Sequence, residues 1–220
     1  MWGGYLGDKL EHTYINRVRS FKAVGRDPET VYDVWQVGSA DVICADTPRP
    51  RDVAHKKADA IMTDNPEITL FMRFADCVPI LLFDPVKKVV GVAHAGWQGT
   101  VRKIASAAVD RMVSFYGSKP ANIRAGIGPS IAPHHYQIGP EVVQKVKEAF
   151  GVMAARLLPS QNGLTYFDLW AANQILLKDA GLLNIETSGF CTACHLDDWF
   201  SHRGENGKTG RFGTLIALNG

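Results

Sequence analysis

Apolar residues along the chain follow two spacings, one typical of amphipathic helices and one typical of buried strands. In residues 9–24, apolar and basic side chains alternate at helical spacing, which predicts an opening helix. Asp168 and Gly181 are typical start and stop residues for another helix. The sequence predicts further helices over residues 100–116, 140–150 and 169–180.

Short β-rich runs predict the strands, and turn residues separate them. The turn formed by Asp84, Pro85 and two lysines joins two apolar runs as a hairpin. Residues 45–57 resemble a loop. Predicted strands cover residues 31–37, 40–44, 68–74, 78–83, 89–94, 124–127, 185–190 and 212–218. Because the strands come in pairs as well as alternating with helices, we expect an α+β fold, with layered mixed β-sheets covered by helices in a single domain over 1–220. A regular parallel doubly wound sheet is the alternative.

Composition narrows the class of protein. A hydrophobic fraction of 46% with 21% charged residues excludes disorder. A formal charge of +2 argues against a nucleic-acid partner and favours a small neutral one. No apolar run approaches the roughly 20 residues of a membrane span, and the first five residues do not resemble a signal peptide, so we expect a cytoplasmic protein. The oligomeric state stays open.

The four cysteines are too few for a disulfide framework and indicate thiols in a reducing compartment. Cys191 and Cys194 form a CxxC pair followed by His195, which is half of a four-ligand zinc site. Because no second CxxC exists, we favour two packed thiols here.

Cys77 follows one predicted strand, and His94 ends the third strand of the same run. The hairpin predicts that both lie near one sheet edge, close enough to share an ion. Thiolate and imidazole are zinc ligands, but a catalytic zinc site needs a third protein ligand. An ordinary core or surface position for Cys77 and His94 is an equal alternative.

Basic residues cluster near a glycine-rich turn towards the end of the chain. Arg203 and Arg211 flank this turn, which also contains Lys208. This arrangement is typical of a phosphate-binding site, and a solvated hairpin is an equal alternative. Asp76 is suited to orient a histidine or accept a proton, or to bind turn amides.

Histidine and tryptophan pairs offer weaker signals. Of His134 and His135, we expect at most one to face a pocket, because neighbours on an extended segment point in opposite directions. Trp97 and Trp170 can stack on a purine, but we favour core packing.

Five motifs occur in a recognisable order, and together they resemble the laccase-domain-containing polyphenol oxidase family, better described as purine nucleoside phosphorylases. The motifs are Ala75-Asp76-Cys77-Val78-Pro79, His94-Ala95-Gly96-Trp97-Gln98-Gly99-Thr100, Gly126-Ile127-Gly128-Pro129-Ser130-Ile131, Asp168-Leu169-Trp170 and Lys208-Thr209-Gly210-Arg211. The resemblance covers nearly the whole chain. Because members usually have a further strand before the opening helix, we expect that strand to be missing here.

The resemblance implies a zinc enzyme that acts on adenosine, inosine and methylthioadenosine with phosphate, with adenosine deaminase activity at the same site. Some members are described instead as peptidoglycan editing factors or as copper-dependent polyphenol oxidases. We assign Cys77, Asp76 and Arg203 as catalytic and Arg211 and Lys208 as substrate-binding residues.

The implied metal ligands are Cys77, His94 and a histidine that follows Gln-Val. This chain has Gly38 at that third position, and glycine offers no donor atom. We favour an impaired site, in the extreme a metal-free binding module, over completion of the site by His55, whose loop we expect to be solvated.

Overall fold

A computed structural model describes residues 9–219 of the chain. The N-terminal residues used in the signal-peptide argument lie outside this range. The helices of the described part are α1 (Leu10–Ala23), α2 (Trp97–Val101), α3 (Ile104–Tyr116), α4 (Pro140–Phe150), α5 (Ala154–Leu157) and α6 (Leu169–Asp179).

The strands of the described part form two larger sheets and one short hairpin. They are β1 (Val31–Tyr32), β2 (Val42–Cys44), β3 (Ala60–Thr63), β4 (Thr69–Phe74), β5 (Val78–Asp84), β6 (Val89–Ala95), β7 (Arg124–Ile127), β8 (Ser160–Gln161), β9 (Leu164–Thr165), β10 (Asn184–Thr187) and β11 (Phe212–Ile216).

The central sheet has the order β10-β7-β5-β6-β3-β2 among the described residues. Its middle pairs, β7 with β5, β5 with β6 and β6 with β3, are antiparallel, while the two outer pairs are parallel. The predicted class of layered mixed sheets with helices is therefore confirmed, and the parallel doubly wound alternative is wrong.

Two hydrophobic cores lie on opposite faces of this sheet. Successive side chains of a strand point to opposite faces, so Ala93 of β6 joins a core with α3, α4 and α6, and Val92 joins the other core. The second core lies between the central sheet and the sheet β1-β4-β11. The central hairpin is buried on both faces, which fixes the position of its ends.

Several predicted elements are shorter or divided. The strand expected over 31–37 is regular only at Val31–Tyr32. The helix expected over 100–116 is two helices, because Lys103 adopts a left-handed conformation (φ 63°) between them. Strand β3 was not predicted, since its four residues are all buried and show no alternation.

None of the helices within residues 9–219 combines the length and apolar character needed to cross a membrane.

Candidate functional site

The central hairpin brings Cys77 and His94 together. Pro79 of β5 lies opposite His94 of β6, so Cys77 directly precedes the paired end of the hairpin. The Cys77 thiol hydrogen bonds to the His94 ring. A Cβ atom built on Gly96 would lie only 2.8 Å from Cys77 Sγ, so a glycine is needed where the chain passes the thiol. The expected proximity of the two residues is confirmed.

Asp59, which sequence reasoning missed, orients His94. His94 Nδ1 lies 2.8 Å from Asp59 Oδ1, and the carboxylate is fully buried. Its other oxygen accepts hydrogen bonds from the backbone N–H groups of Val37 (3.1 Å) and Ser39 (2.6 Å). Although burial alone would raise the pKa of Asp59, its hydrogen bonds to His94 and Ser39 lower it. Ionised Asp59 accepts a hydrogen bond from the Nδ1–H group of His94, so Nε2 is the ring nitrogen that can serve as a ligand once it has lost its proton.

The His94 ring favours positive charge. Burial opposes this charge, but the Cys77 thiol and the Asp59 carboxylate outweigh the effect and raise the pKa of His94 to about 9. Phe74 lies against the ring, with centroids 5.6 Å apart.

The residues around Cys77 and His94 do not complete the three-ligand zinc site that the resemblance implies. Gly38 has no donor atom and adopts a left-handed backbone (φ +72°), with Gln98 next to it. His55 is not solvated as expected: its Nε2 lies 3.2 Å from Asp33 Oδ2, and the side chain is only 25% exposed. This ion pair engages His55, so the residues present do not fit a three-ligand zinc site at Cys77 and His94.

Asp76 is used entirely in hydrogen bonds. Its Oδ1 accepts from the Thr192 hydroxyl at 2.7 Å, and its Oδ2 accepts from the backbone N–H of Arg203 at 2.7 Å. The carboxylate is buried. This arrangement fits the amide-binding alternative and gives Asp76 a positioning role towards Arg203.

Arg203 is tied through its backbone N–H to Asp76, the residue that precedes Cys77. Its guanidinium lies over the Tyr136 ring, 5.3 Å from the centroid, and its Nη1 donates to the carbonyl oxygen of His135 at 3.2 Å. Burial raises the pKa of Tyr136, as do the charges of Cys77 and Asp76, while Arg203 lowers it. The side chain of Arg203 is otherwise exposed, so it can present N–H donors to an anion.

The remaining predicted basic residues are less firmly placed. Arg211 precedes β11 and donates from Nη1 to the carbonyl of Gly210 at 2.7 Å. It is close enough to Arg73 to lower the pKa of that residue, whose burial is the larger cause. Lys208 is exposed in the turn, with its backbone N–H bonded to Glu205. No measured contact links Lys208 to Cys77 or His94.

The two tryptophans pack as expected. Trp97 and Trp170 both lie against the core on the helical side of the sheet. Trp170 also donates from Nε1 to the Ser130 hydroxyl at 2.7 Å. This favours the packing interpretation over purine stacking.

A second group of metal-ligand side chains lies nearby. In the described part of the chain, one ligand atom from each of His134, His135, Cys191 and Cys194 lies within 4.8 Å of the others. The expectation that at most one of the two histidines faces a common site is wrong. They lie in a 3₁₀ turn rather than an extended segment, and their ring centroids are 4.5 Å apart. The two packed thiols expected from the CxxC therefore have histidine partners.

The comparison with known proteins identifies the family of the chain. The chain belongs to the multi-copper polyphenol oxidoreductase laccase family, whose model matches residues 2–219. It is 38% identical over 174 residues to a protein of Bacillus subtilis named purine nucleoside phosphorylase YlmD, covering 77% of this chain and 62% of that protein. It is 35% identical to a purine nucleoside phosphorylase of Deinococcus radiodurans, over 92% of this chain and 76% of the relative.

One relative has a different named activity. A protein called adenosine deaminase RL5, from an unknown prokaryotic organism, is 34% identical over 96% of this chain and 84% of its own length. Among solved structures, a Bacillus licheniformis protein described as hypothetical protein YfiH superimposes with a TM-score of 0.93 at 34% identity, over 99% of this chain and 85% of that one.

Proposed function

We propose that the chain is a purine nucleoside phosphorylase acting on adenosine, inosine and methylthioadenosine. The observation that carries the proposal is that Asp76, next to Cys77 at the hairpin end, binds the backbone N–H of Arg203, whose side chain is exposed. The names of the relatives from Bacillus subtilis and Deinococcus radiodurans support it. The substrates are a small nucleoside and phosphate, and the free thiols support a cytoplasmic location.

In this reaction a phosphate oxygen forms a bond to C1′ of the ribose while the bond from C1′ to the base breaks. The electron pair leaves with the base, which takes up a proton. Arg203 would hold the phosphate and neutralise its charge, with Arg211 and Lys208 as further anion-binding groups. Asp76 would fix the backbone of Arg203, and Cys77 and His94 would line the reacting centre.

Only two of the three zinc ligands that the resemblance implies are present at the hairpin end. Cys77 and an oriented His94 suit zinc, but the third ligand that the resemblance implies is absent at Gly38. The chain is poorly suited to the copper chemistry of a laccase, because its seven histidines include no His-x-His pair.

The test incubates the purified chain with each nucleoside, with and without phosphate, and measures the free base, the corresponding sugar 1-phosphate and ammonia. Phosphate-dependent release of base is expected, and it should fall in Arg203→Ala but not in Arg156→Ala, an exposed arginine of α5. Phosphate-independent release of ammonia from adenosine would reveal the adenosine deaminase activity that the resemblance also implies. Oxygen consumption with phenols would indicate an oxidase, and nucleoside binding without turnover would indicate a binding module; either would contradict the proposal.

A further inference from the structure

The interatomic distances around the CxxC match the edges of a zinc coordination tetrahedron. His134 Nε2 lies 3.2 Å from Cys194 Sγ, and His135 Nδ1 lies 3.5 Å from Cys191 Sγ and 3.6 Å from Cys194 Sγ. With zinc bonds of about 2.3 Å to sulfur and about 2.0 Å to nitrogen, a tetrahedral site separates sulfur from nitrogen by about 3.5 Å. An ion therefore fits between the four atoms with only small adjustments.

The backbone around these residues is already fixed. Ser130 and Cys191 form a parallel bridge, and the backbone N–H of Ala132 donates to Cys191 Sγ at 3.3 Å. A hydrogen bond from an amide stabilises a thiolate, which is the form of cysteine that binds metal. Cys191 is buried, whereas His134, His135 and Cys194 are exposed, so an ion can enter from solvent.

We infer that His134, His135, Cys191 and Cys194 form a second metal site, separate from Cys77 and His94, that takes zinc in a closed tetrahedral geometry. Two thiolates and two imidazoles are the donor set of structural zinc sites, and all four positions are filled by protein. The cation displaces the two thiol protons on binding. The site does not depend on the proposed enzymatic activity.

The proposed site lies in a long irregular segment of the chain, which the ion would hold in place. Residues 188–211 contain no helix or strand, only turns and one bridge. Irregular segments of this length are uncommon in a compact fold unless something holds them. The ion would fasten this segment to the turn at His134 and His135. The carbonyl of His135 also contacts Arg203, so the ion would help to position that side chain.

The test measures zinc in the full chain, purified under reducing conditions and loaded with zinc, and the absorption spectrum after replacement by Co²⁺. We expect about one firmly held zinc per chain and a tetrahedral cobalt spectrum with thiolate charge-transfer bands. Cys194→Ser and His134→Ala should each lose most of this zinc and change the cobalt spectrum. Both residues are exposed, which limits damage to folding, and circular dichroism checks it.

Two matched variants locate the ion. His195→Ala removes the exposed histidine next to the CxxC, and Cys77→Ser removes the thiol at the hairpin end. Both should keep the zinc. Zinc content unchanged by Cys194→Ser and His134→Ala, zinc lost only with Cys77→Ser, or no zinc bound by the wild-type chain would each overturn the inference.

Discussion

His94 donates from Nδ1 to the buried carboxylate of Asp59 across 2.8 Å, and the same carboxylate holds the backbone on either side of Gly38 through Val37 and Ser39. One buried charge thus joins the histidine of the hairpin to the segment that would supply the third metal ligand. Since a buried carboxylate is stable only when its hydrogen bonds are complete, the two segments are ordered together.

Replacing Asp59 should therefore disturb both segments. Asp59→Ala leaves the donors of His94, Val37 and Ser39 without their acceptor, and we expect it to lower the free energy of unfolding by about 3 kcal/mol. Urea denaturation measures this change. Nitrogen NMR of the neutral His94 ring, recorded above the wild-type His94 pKa of about 9, should also show loss of the Nδ1–H tautomer in Asp59→Asn. Asp41→Asn, at an exposed aspartate, is the control. An unchanged tautomer in Asp59→Asn would contradict the orienting role.

Gly38 is more than a missing ligand. Its left-handed backbone disfavours any side chain, and a Cβ there would lie 2.5 Å from Gln98 Oε1. We expect both Gly38→His and Gly38→Ala to lower the free energy of unfolding by about 1 to 2 kcal/mol.

Of the two variants at Gly38, only Gly38→His adds a side chain with a metal-donor atom. Gly38→His supplies a donor at the position where the resemblance implies the third ligand, so it should bind additional zinc and release adenine faster from adenosine in phosphate buffer. Gly38→Ala carries the same backbone strain without a donor and should do neither. Equal zinc content and equal turnover in the two variants would refute the interpretation of Gly38 as a lost ligand.

The sequence was most informative where a local pattern decides the structure. The hairpin of β5 and β6 follows from two apolar runs and a turn, and its register brings Cys77 to His94. Helix α4 begins and ends as predicted, because Pro140 suits the first helical position.

Contacts distant in sequence were not predictable in the same way. Asp59 precedes an apolar run that became β3, and a lone acid at a buried strand was the available signal for its role. The extended backbone expected at His134 and His135 is wrong. The two residues lie in a 3₁₀ turn, which follows from Pro133 rather than from the spacing of the histidines. Their pairing with the CxxC depends on tertiary structure.

Arg203 should matter for phosphate more than for the nucleoside. Its backbone is fixed by Asp76, and its side chain is held by Tyr136 and the carbonyl of His135. Arg203→Ala should lower kcat/KM for phosphate by about 30-fold, equivalent to about 2 kcal/mol, while Arg203→Lys keeps the charge and should lose less. Steady-state kinetics with varied phosphate measure both. Equal phosphate dependence in the wild type, Arg203→Ala and Arg211→Ala would exclude both arginines from phosphate binding.

Asp33 should make the fold sensitive to acid. Burial alone would raise the pKa of Asp33, but hydrogen bonds and charge from His55 and Arg49 outweigh it and lower the pKa from 3.8 to about 2. Arg49 Nε lies 2.6 Å from the carboxylate, and the aspartate side chain is only 12% exposed.

Because the pKa of Asp33 is lower in the folded state, its stabilisation is complete above pH 3.8 and is lost as the pH falls towards 2. The lost stability is about 2 kcal/mol. Urea unfolding between pH 5 and 2, compared for the wild type and Asp33→Asn, isolates this contribution: the variant should be less stable at pH 5 and converge with the wild type near pH 2. Asp52→Asn, at an exposed aspartate of the loop that carries Arg49 and His55, should follow the wild type throughout. A constant stability difference between wild type and Asp33→Asn across this range would show that the ion pairs of Asp33 do not carry the acid sensitivity.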